Sequence, residues 1–223
     1  MFQNDMDWFP LYISLKTSLC AAAIAFGLGV TAARLVFGMR GKAKAVIDGL
    51  LMLPLVLPPT VVGFCLLIFL GRNSFFGILL QKIGIRVIFS WEATVIAATV
   101  VAFPLVYRTV RSSLEQIEPS VLEAARILGV SEWTIFFRIM LPYARSGCIA
   151  GTILGFTRAL GEFGATLMIA GNIPHRTQTI PIAIWSSVEG NEMNAALIWT
   201  LLIIVLSFFV VIPLNFYGEQ RRT

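Results

Sequence analysis

Charge is scarce in this 223-residue sequence. Asp, Glu, Lys and Arg make up 13% of the residues, whereas hydrophobic residues make up 57%. A soluble domain carries about 25% charged residues, because its surface has to be hydrated. A chain with so little charge cannot cover a globular surface with polar groups. The composition therefore excludes soluble globular, disordered and collagen-like proteins and leaves an integral membrane protein.

Residue types that commonly carry chemistry are also few. The single histidine, His175, lies in a polar segment, and the three cysteines lie in apolar runs with no metal-site spacing. The sequence has no phosphate-binding Gly-x-x-x-x-Gly-Lys-Ser/Thr motif, no His-Glu-x-x-His motif and no nucleophile elbow. We therefore expect no catalytic, cofactor-binding or metal site in this chain, which argues against a membrane enzyme.

Long charge-poor runs predict transmembrane helices. A helix needs about 20 mainly apolar residues to cross the hydrocarbon layer, and backbone groups in lipid must bond within their own segment. Five such spans are predicted, at residues 11–35, 49–71, 91–110, 147–170 and 195–217. The predicted fold class is therefore an all-α integral membrane protein, with one transmembrane domain over residues 1–223.

The distribution of Lys and Arg predicts the orientation of these spans. Five crossings put the termini on opposite sides, and the cytoplasmic side carries the excess of basic residues. One side holds Arg34, Arg40, Lys42, Lys44, Arg108, Arg111, Arg126, Arg138, Arg145, Arg221 and Arg222. The other holds Lys16, Arg72, Lys82, Arg86 and Arg176. We therefore predict a multi-pass cell-membrane protein with its N-terminus outside and its C-terminus in the cytoplasm. This asymmetry explains the net charge of +5 without nucleic-acid binding.

Two predicted spans contain residues that disturb a helix in lipid. Pro54, Pro58 and Pro59 each remove a backbone donor from the second span, so its helix must start late or be broken. The prolines form a pathway or gating element, or Pro59 merely opens the helix. Arg158 and Glu162 stand four residues apart in the fourth span and are expected to pair. They form a polar gate or anion contact, or a structural ion pair.

Glycines also recur every four residues in the fourth span, at Gly147, Gly151 and Gly155. Small residues on one stripe allow helices to approach closely in lipid. The stripe therefore serves helix packing, or it lines a pathway at a two-fold axis.

A polar loop over residues 111–145 separates the third and fourth spans. Pro119 and Gly129 suit the two ends of a short helix. One apolar face of this helix comprises Val121, Ala125 and Leu128. A second helix is predicted from Glu132 to Leu141, capped by Ser131 and ended by Pro142. The first helix inserts into a groove of a partner, or it lies flat on the lipid surface.

The same loop carries a specific motif. Glu123-Ala124-Ala125 is followed after three residues by Gly129 and after nine more by Ile139-Met140-Leu141-Pro142. This pattern resembles the EAA loop of ABC importer permeases, in which the loop forms a coupling helix that docks on the ATP-hydrolysing subunit. The resemblance implies a type I ABC importer transmembrane domain with about five transmembrane helices and a cytoplasmic coupling helix. The implied ATPase-coupling residues are Glu123, Ala124, Ala125, Gly129, Leu141 and Pro142.

Further segments resemble the molybdate permeases within that family. They are LPLVLPPTVVG at residues 53–63, LGEFGAT at 160–166, GNIP at 171–174 and TQTIP at 177–181. The resemblance implies a path for molybdate, with sulfate, thiosulfate or tungstate as alternatives because sulfate permeases share approximate forms of these motifs. The candidate pathway or gate residues are Pro58, Pro59, Arg158, Glu162 and Thr166.

The resemblance also implies the partners. It implies two cytoplasmic ABC ATPase subunits that bind ATP and Mg²⁺, and an extracytoplasmic oxyanion-binding protein. Five helices are few to enclose a path, so we expect a homodimer of the permease within the lipid. An ion-coupled secondary transporter would need titratable carboxylates inside the membrane. Only Glu162 fits that role, and Arg158 would neutralise it.

Overall fold

The computed structural model describes residues 7–219, with side chains for residues 7–212. Arg221 and Arg222, which belong to the basic side in the charge count, lie outside the described residues. The described chain is helical, with one short π-helical segment at Phe136–Met140. Its α-helices are α1 (Phe9–Phe37), α2 (Gly41–Val56), α3 (Pro59–Leu70), α4 (Phe75–Lys82), α5 (Trp91–Leu114), α6 (Pro119–Ile127), α7 (Glu132–Ile135), α8 (Leu141–Tyr143), α9 (Arg145–Leu160), α10 (Gly164–Ala170), α11 (Ile180–Glu189) and α12 (Met193–Glu219).

Helix α5 is the centre of the bundle, and α1, α9 and α10 pack against it. Its side chains at Val106, Tyr107, Val110 and Leu114 are fully buried. The most apolar part of α5 is 67% buried inside the protein, whereas the corresponding part of α12 is only 11% buried. Because α12 is strongly apolar yet uncovered, its surface is suited to lipid or to another subunit.

Small residues allow the helices around α5 to approach closely. A Cβ atom added at Gly29 of α1 would lie 2.9 Å from Cγ1 of Val106, and one at Gly155 of α9 would lie 2.7 Å from its Cγ2. Gly147 and Gly151 are likewise buried against α5. Of the two alternatives for the glycine stripe, helix packing is the one that this arrangement favours.

Three helices are long and apolar enough to cross a membrane alone: α1, α5 and residues Met193–Ile212 of α12. Two further spans result if bent helix pairs are each counted as one crossing. These pairs are α2 with α3, bent by 110°, and Glu132–Tyr143 with α9, bent by 71°. The all-helical membrane fold predicted from the sequence is confirmed, but two of its spans are not single rods.

The prediction of one span over residues 49–71 is wrong as a continuous helix. Helix α2 begins already at Gly41 and ends at Val56, and Pro59 is the first residue of α3. Leu57 and Pro58 are extended, because a residue that precedes proline is driven away from helical dihedrals. The prolines therefore both break the segment and open a new helix of 12 residues, about 18 Å long.

The predicted fourth span over residues 147–170 is also broken, at a place that the sequence reading did not identify. Helix α9 ends at Leu160 and α10 starts at Gly164. The Glu162 side chain accepts a hydrogen bond from the Ala165 amide at 2.8 Å. Because this bond satisfies an amide at the start of α10, the chain begins a new helix there instead of continuing α9.

The second loop helix does not end at Pro142 as predicted. Pro142 lies inside α8 and has no N–H to offer the carbonyl of Arg138. The preceding residues adopt a π-helical turn, in which the Leu141 amide bonds the Phe136 carbonyl. The chain then turns at Ala144 into α9. The π-helical turn, which is wider than an α-helical turn, therefore accommodates Pro142 without ending the helix.

Candidate functional site

Helix α6 is defined at both ends by its sequence. Pro119 occupies the first helical position, where a missing amide costs nothing. At the other end Gly129 has φ +75°, its amide bonds the Arg126 carbonyl at 2.9 Å, and the Val130 amide bonds the Ala125 carbonyl at 3.1 Å. These two bonds form a Schellman motif, which needs a residue in the left-handed region. The predicted helix between Pro119 and Gly129 therefore exists with the expected termini.

The inward face of α6 differs from the predicted one. Leu122 and Ala125 are buried, and both belong to the main hydrophobic core of the protein. Ala125 is only 7% exposed, whereas Val121 and Leu128, which were predicted to share its face, are exposed. The prediction of a common face for these residues is therefore wrong. Ala125 anchors α6 to its own bundle.

The outward surface of α6 carries the rest of the motif. Glu123, Ala124 and Gly129 are exposed. Large apolar side chains surround them: Ile127 is 85% exposed and Leu128 is 81% exposed. On the next helix Trp133 is 75% exposed. We call these six residues the α6 surface. Exposed apolar side chains in such number mark a protein or membrane contact.

Leu141 and Pro142, the end of the predicted motif, lie apart from this surface. They are in α8, where Leu141 is half-buried against the main core and Pro142 is exposed. Their position at the turn from α8 into α9 connects the loop to the fourth span.

Ion pairs bracket the α6 surface. Glu132 bonds Arg126 of α6 at 2.6 Å and Arg34 at the end of α1 at 2.9 Å. The hydrogen bond from Arg126 holds the pKa of Glu132 below its usual value. Both pairs are exposed to solvent and hence individually weak, but together they join three helices. Sequence reasoning missed this bracket, because Arg34 lies 98 residues away from its partner.

A second ionic cluster lies at the same end of the bundle. Glu115 accepts from Lys44 of α2 at 2.9 Å and from Arg111 of α5 at 3.0 Å. The bond from Lys44 lowers the pKa of Glu115. Asp48 of α2 accepts from both Tyr107 and Arg111. Since α2 has no fully buried residue, these polar contacts help to hold it against α5.

The two broken segments meet inside the bundle. Helix α3 packs against α10, and a Cβ atom added at Gly63 would lie 2.7 Å from the Ala165 Cα. At the start of both helices, Gly164 lies close to Pro59 and Thr60. The structure therefore brings Pro59 next to the break that contains Glu162, a meeting that the sequence spacing did not reveal.

Arg158 and Glu162 form the ion pair that the sequence predicts, with 2.8 Å between Nη1 and Oε2. The Glu162 side chain is 1% exposed and its other oxygen caps α10. Arg158 remains partly exposed. The remaining pathway candidates differ in solvent exposure: Pro58 is exposed, Pro59 is half-buried and Thr166 is buried. Helix α9, about 24 Å long, separates this break from the α6 end.

Metal-binding clusters do not occur in the described part of the chain. No group of three or more His, Cys, Asp or Glu side chains there could hold an ion. His175 contacts Asp7 at 3.4 Å and the ring of Phe9, at the end of the bundle opposite α6.

A family model described as "Binding-protein-dependent transport system inner membrane component" matches residues 25–218. Three named relatives also match the chain. The chain is 40% identical over 215 residues to the putative molybdenum transport system permease protein YvgM of Bacillus subtilis strain 168, covering 96% of this chain and 93% of that protein. It is 43% identical over 199 residues to the molybdenum transport system permease protein ModB of Escherichia coli K12, with 88% and 87% coverage. It is 32% identical over 203 residues to the sulfate transport system permease protein CysT of the same organism, with 91% and 73% coverage.

Solved structures share the fold. A chain in the crystal structure of a bacterial ABC transporter involved in the import of the acidic polysaccharide alginate superimposes with a TM-score of 0.78 at 16% identity, covering 98% of this chain and 81% of that chain. A chain of the inward-facing MetNI methionine ABC transporter gives 0.70 at 16% identity, with 95% and 92% coverage. At this identity the likeness shows the fold alone, that of a type I ABC importer transmembrane domain.

Proposed function

The chain belongs to the family of binding-protein-dependent transport system inner membrane components, and from this we propose that it is the membrane-spanning subunit of an ATP-driven molybdate importer. It is a multi-pass protein of the inner membrane that serves transport rather than catalysis. Within the complex, ATP and Mg²⁺ bind to a separate ATPase subunit. The chain supplies the path for the anion and the surface that receives the motion of the ATPase.

One observation carries this proposal: the α6 surface exposes Glu123, Ala124 and Gly129 of the EAA motif together with Ile127 and Leu128. A helix that is anchored on one face and apolar on the other is suited to a groove in a partner protein. The alternative, a helix lying flat on lipid, accounts less well for the ion pairs by which Glu132 joins Arg126 of α6 to Arg34 of α1. In our proposal this surface docks on the ATPase.

The contacts of α6 suggest how motion reaches the membrane. Leu122 and Ala125 pack in the core around α5, and Glu132 joins α6 to the end of α1. A displacement of α6 therefore moves the ends of both helices. When two ATPase subunits close on ATP, the docked helices of two permease copies approach each other and the spans tilt. Access to the path then changes from the cytoplasmic side to the outer side.

The meeting of α3 and α10 is the part of the chain suited to gating. Both helices start at a break, and breaks at membrane depth are tolerated against protein or a water-filled path. The exposed Pro58 and the partly exposed Arg158 flank this meeting. In a homodimer this region of each copy borders the path, and an extracytoplasmic oxyanion-binding protein delivers the anion from above.

Molybdate is favoured as the cargo over sulfate by the named relatives. The two molybdenum transport permeases described above are 40% and 43% identical to this chain over most of both lengths, whereas the E. coli sulfate permease CysT is 32% identical. Competition by unlabelled tungstate and by unlabelled thiosulfate in the transport assay tests these two alternative cargoes.

Reconstitution with the ATPase and the binding protein in proteoliposomes tests the cargo and the energy source. We expect uptake of labelled molybdate that requires ATP inside, resists collapse of ion gradients and is not competed by a tenfold excess of sulfate. Uptake that follows a proton or sodium gradient would contradict the proposal. Equal competition by sulfate would be consistent with an ABC importer but would contradict molybdate as the preferred cargo.

Docking is tested by a matched pair of substitutions. Ala124→Asp places a charge on the α6 surface, while Ala45→Asp makes the same change at an exposed alanine of α2. We expect the first variant to lose the copurifying ATPase, since a desolvated charge costs several kcal/mol at an interface. The second should retain it, and both should have the thermal stability of the wild type. Equal retention by the two variants would exclude α6 as the docking helix.

A further inference from the structure

A cavity of about 420 Å³ lies at the end of the bundle opposite α6. The end of α3, helix α4 and the segment over residues 85–89 form its walls. Its volume falls within the range of about 300–1,000 Å³ that is usual for small-ligand sites. Neither the transport motif nor the meeting of α3 and α10 makes use of it.

The corner that encloses this cavity has a fixed structure. Ser74 caps α4 by accepting from the Gly77 amide at 2.8 Å, and its hydroxyl donates to the Phe69 carbonyl at 2.5 Å. Gly77 packs so closely on the Gly71 carbonyl that a side chain there would collide. The Phe89 amide bonds the Ile169 carbonyl of α10 at 3.1 Å. The cavity is therefore part of the fold.

The lining combines an apolar interior with two cations. Leu67, Leu80 and Val87 supply apolar surface, and the exposed residues Arg72 and Arg86 also line the cavity. Among the described residues no carboxylate forms an ion pair with either arginine. The positive charge at this cavity is therefore available to a ligand.

The outer side of the same corner is strongly apolar. Phe75, Phe76, Ile78 and Leu79 of α4 are all exposed. A short helix with exposed aromatic and aliphatic side chains and basic neighbours suits the boundary between headgroups and acyl chains. The corner therefore stands where a phospholipid phosphate and its acyl chains are both within reach.

We propose that this cavity binds an anionic phospholipid of the outer leaflet, with its phosphate held by Arg72 and Arg86 and an acyl chain in the apolar interior. Guanidinium groups bind phosphate oxygens in a bidentate manner, which favours them over other cations for this role. A free oxyanion would leave the apolar interior unfilled. A zwitterionic lipid carries a cation that the two arginines repel. The proposal is independent of which anion the protein transports.

Native mass spectrometry of the detergent-purified full chain tests the site with phosphatidylglycerol and phosphatidylcholine as probes. We expect the wild type to retain phosphatidylglycerol in preference to phosphatidylcholine. Arg72→Ala and Arg86→Ala should each weaken this retention by about fivefold, the effect of one basic residue at a lipid surface. Lys82→Ala is the matched control, because Lys82 is an exposed cation of α4 that does not line the cavity. It should leave retention unchanged.

A second variant tests the apolar part of the site. Ile85→Trp fills the cavity from its exposed side and should reduce retention of both lipids. The arginine variants, which change exposed side chains, should keep the unfolding temperature of the wild type, so their result stands even if Ile85→Trp fails to fold.

Three results would overturn the proposal. The first is retention of phosphatidylglycerol by the double arginine variant equal to that of the wild type. The second is displacement of the lipid by millimolar inorganic phosphate or molybdate, which would make the site one for free oxyanions. The third is dissociation of the dimer in the arginine variants when no lipid is retained. This result would assign the surface to contact with a second copy of the chain.

Discussion

At the residue scale, Glu162 shows how a carboxylate is accommodated in the interior of a membrane protein. An isolated charge there is expensive. One oxygen of Glu162 accepts a hydrogen bond from the Ala165 amide, and the other makes only the ion-pair contact with Arg158. The side chain therefore stabilises the start of α10 as well as neutralising a cation. Of the two sequence-based alternatives, this geometry favours a structural pair over a gate.

Two substitutions at Glu162 separate these roles. Glu162→Gln keeps an oxygen for the Ala165 amide and loses the ion pair, whereas Glu162→Ala loses both. We expect the alanine variant to be less stable than the glutamine variant by about 1–3 kcal/mol, the cost of a buried donor left without an acceptor. Thermal unfolding in detergent, followed by tryptophan fluorescence, measures the difference. If Glu162→Gln instead abolished uptake at unchanged stability, the charge itself would be part of a gate.

Gly129 offers a second prediction at this scale. Its φ of +75° lies in the left-handed region, and an added Cβ would meet no neighbouring atom. Gly129→Ala should therefore cost about 1–2 kcal/mol through backbone strain alone. We expect roughly tenfold faster hydrogen exchange of the amides in α6. Gly38→Ala is the control, because Gly38 has φ −79° and equally open surroundings. Equal exchange in the two variants would contradict the argument from strain.

At the element scale, α6 depends on ion pairs that respond to pH. The pKa of Glu132 is held below its ordinary value of 4.5, chiefly by Arg126. A carboxylate with a lowered folded-state pKa stabilises the fold above its ordinary pKa, and this contribution is lost as the pH falls through the lowered value. The joint between α6, α7 and α1 should therefore loosen below pH 4.5 and not above it.

Limited proteolysis of residues 119–135 between about pH 6 and pH 3 measures this loosening. Glu132→Gln is the comparison, because its amide cannot titrate. We expect the wild type to become more susceptible than at neutral pH, and the variant to change less over the same interval. Parallel curves for the two proteins would show that other carboxylates govern the effect.

The elements also show what the sequence reveals and what it conceals. Hydropathy located α1, α5 and α12, because an uninterrupted apolar run has few alternatives in lipid. Pro119 and Gly129 located α6, because those residue types have strong positional preferences at helix ends. The break after Leu160 was missed, since it depends on a hydrogen bond that the Ala165 amide donates to the Glu162 side chain. The pairing of Arg34 with Glu132 was missed because it joins residues distant in the chain.

The candidate site was likewise only partly predictable from the sequence. The EAA motif predicts that α6 is the coupling element, but its inward and outward faces follow from the packing of Leu122 and Ala125 in the core. Periodicity alone grouped Ala125 with Val121 and Leu128, because a short helix with apolar residues on several sides has no unique inner face. Which side of a helix is buried is decided by its neighbours.

At the scale of the whole molecule, the α6 surface and the α3–α4 corner lie at opposite ends of the bundle. Arg34 and Lys44, both predicted to be cytoplasmic, form ion pairs with Glu132 and Glu115 at the α6 end. At the other end Lys16 lies over the ring of Trp91, 3.8 Å from its centroid. The grouping by contact agrees with the grouping by charge for these residues, and the positive-inside rule predicts that the α6 end faces the cytoplasm.

Single cysteines test this orientation. In a variant without Cys20, Cys65 and Cys148, Ser120→Cys places a thiol on α6 and Asn73→Cys places one at the α3–α4 corner, both at exposed positions. A membrane-impermeant maleimide should label the second thiol in intact cells and the first only after permeabilisation. Because the helices between these positions fix them at opposite ends, labelling of both from one side would contradict the fold, whereas the reversed pattern would contradict only the orientation. Docking of α6 on an ATPase requires the expected pattern, since ATP is available only on the cytoplasmic side.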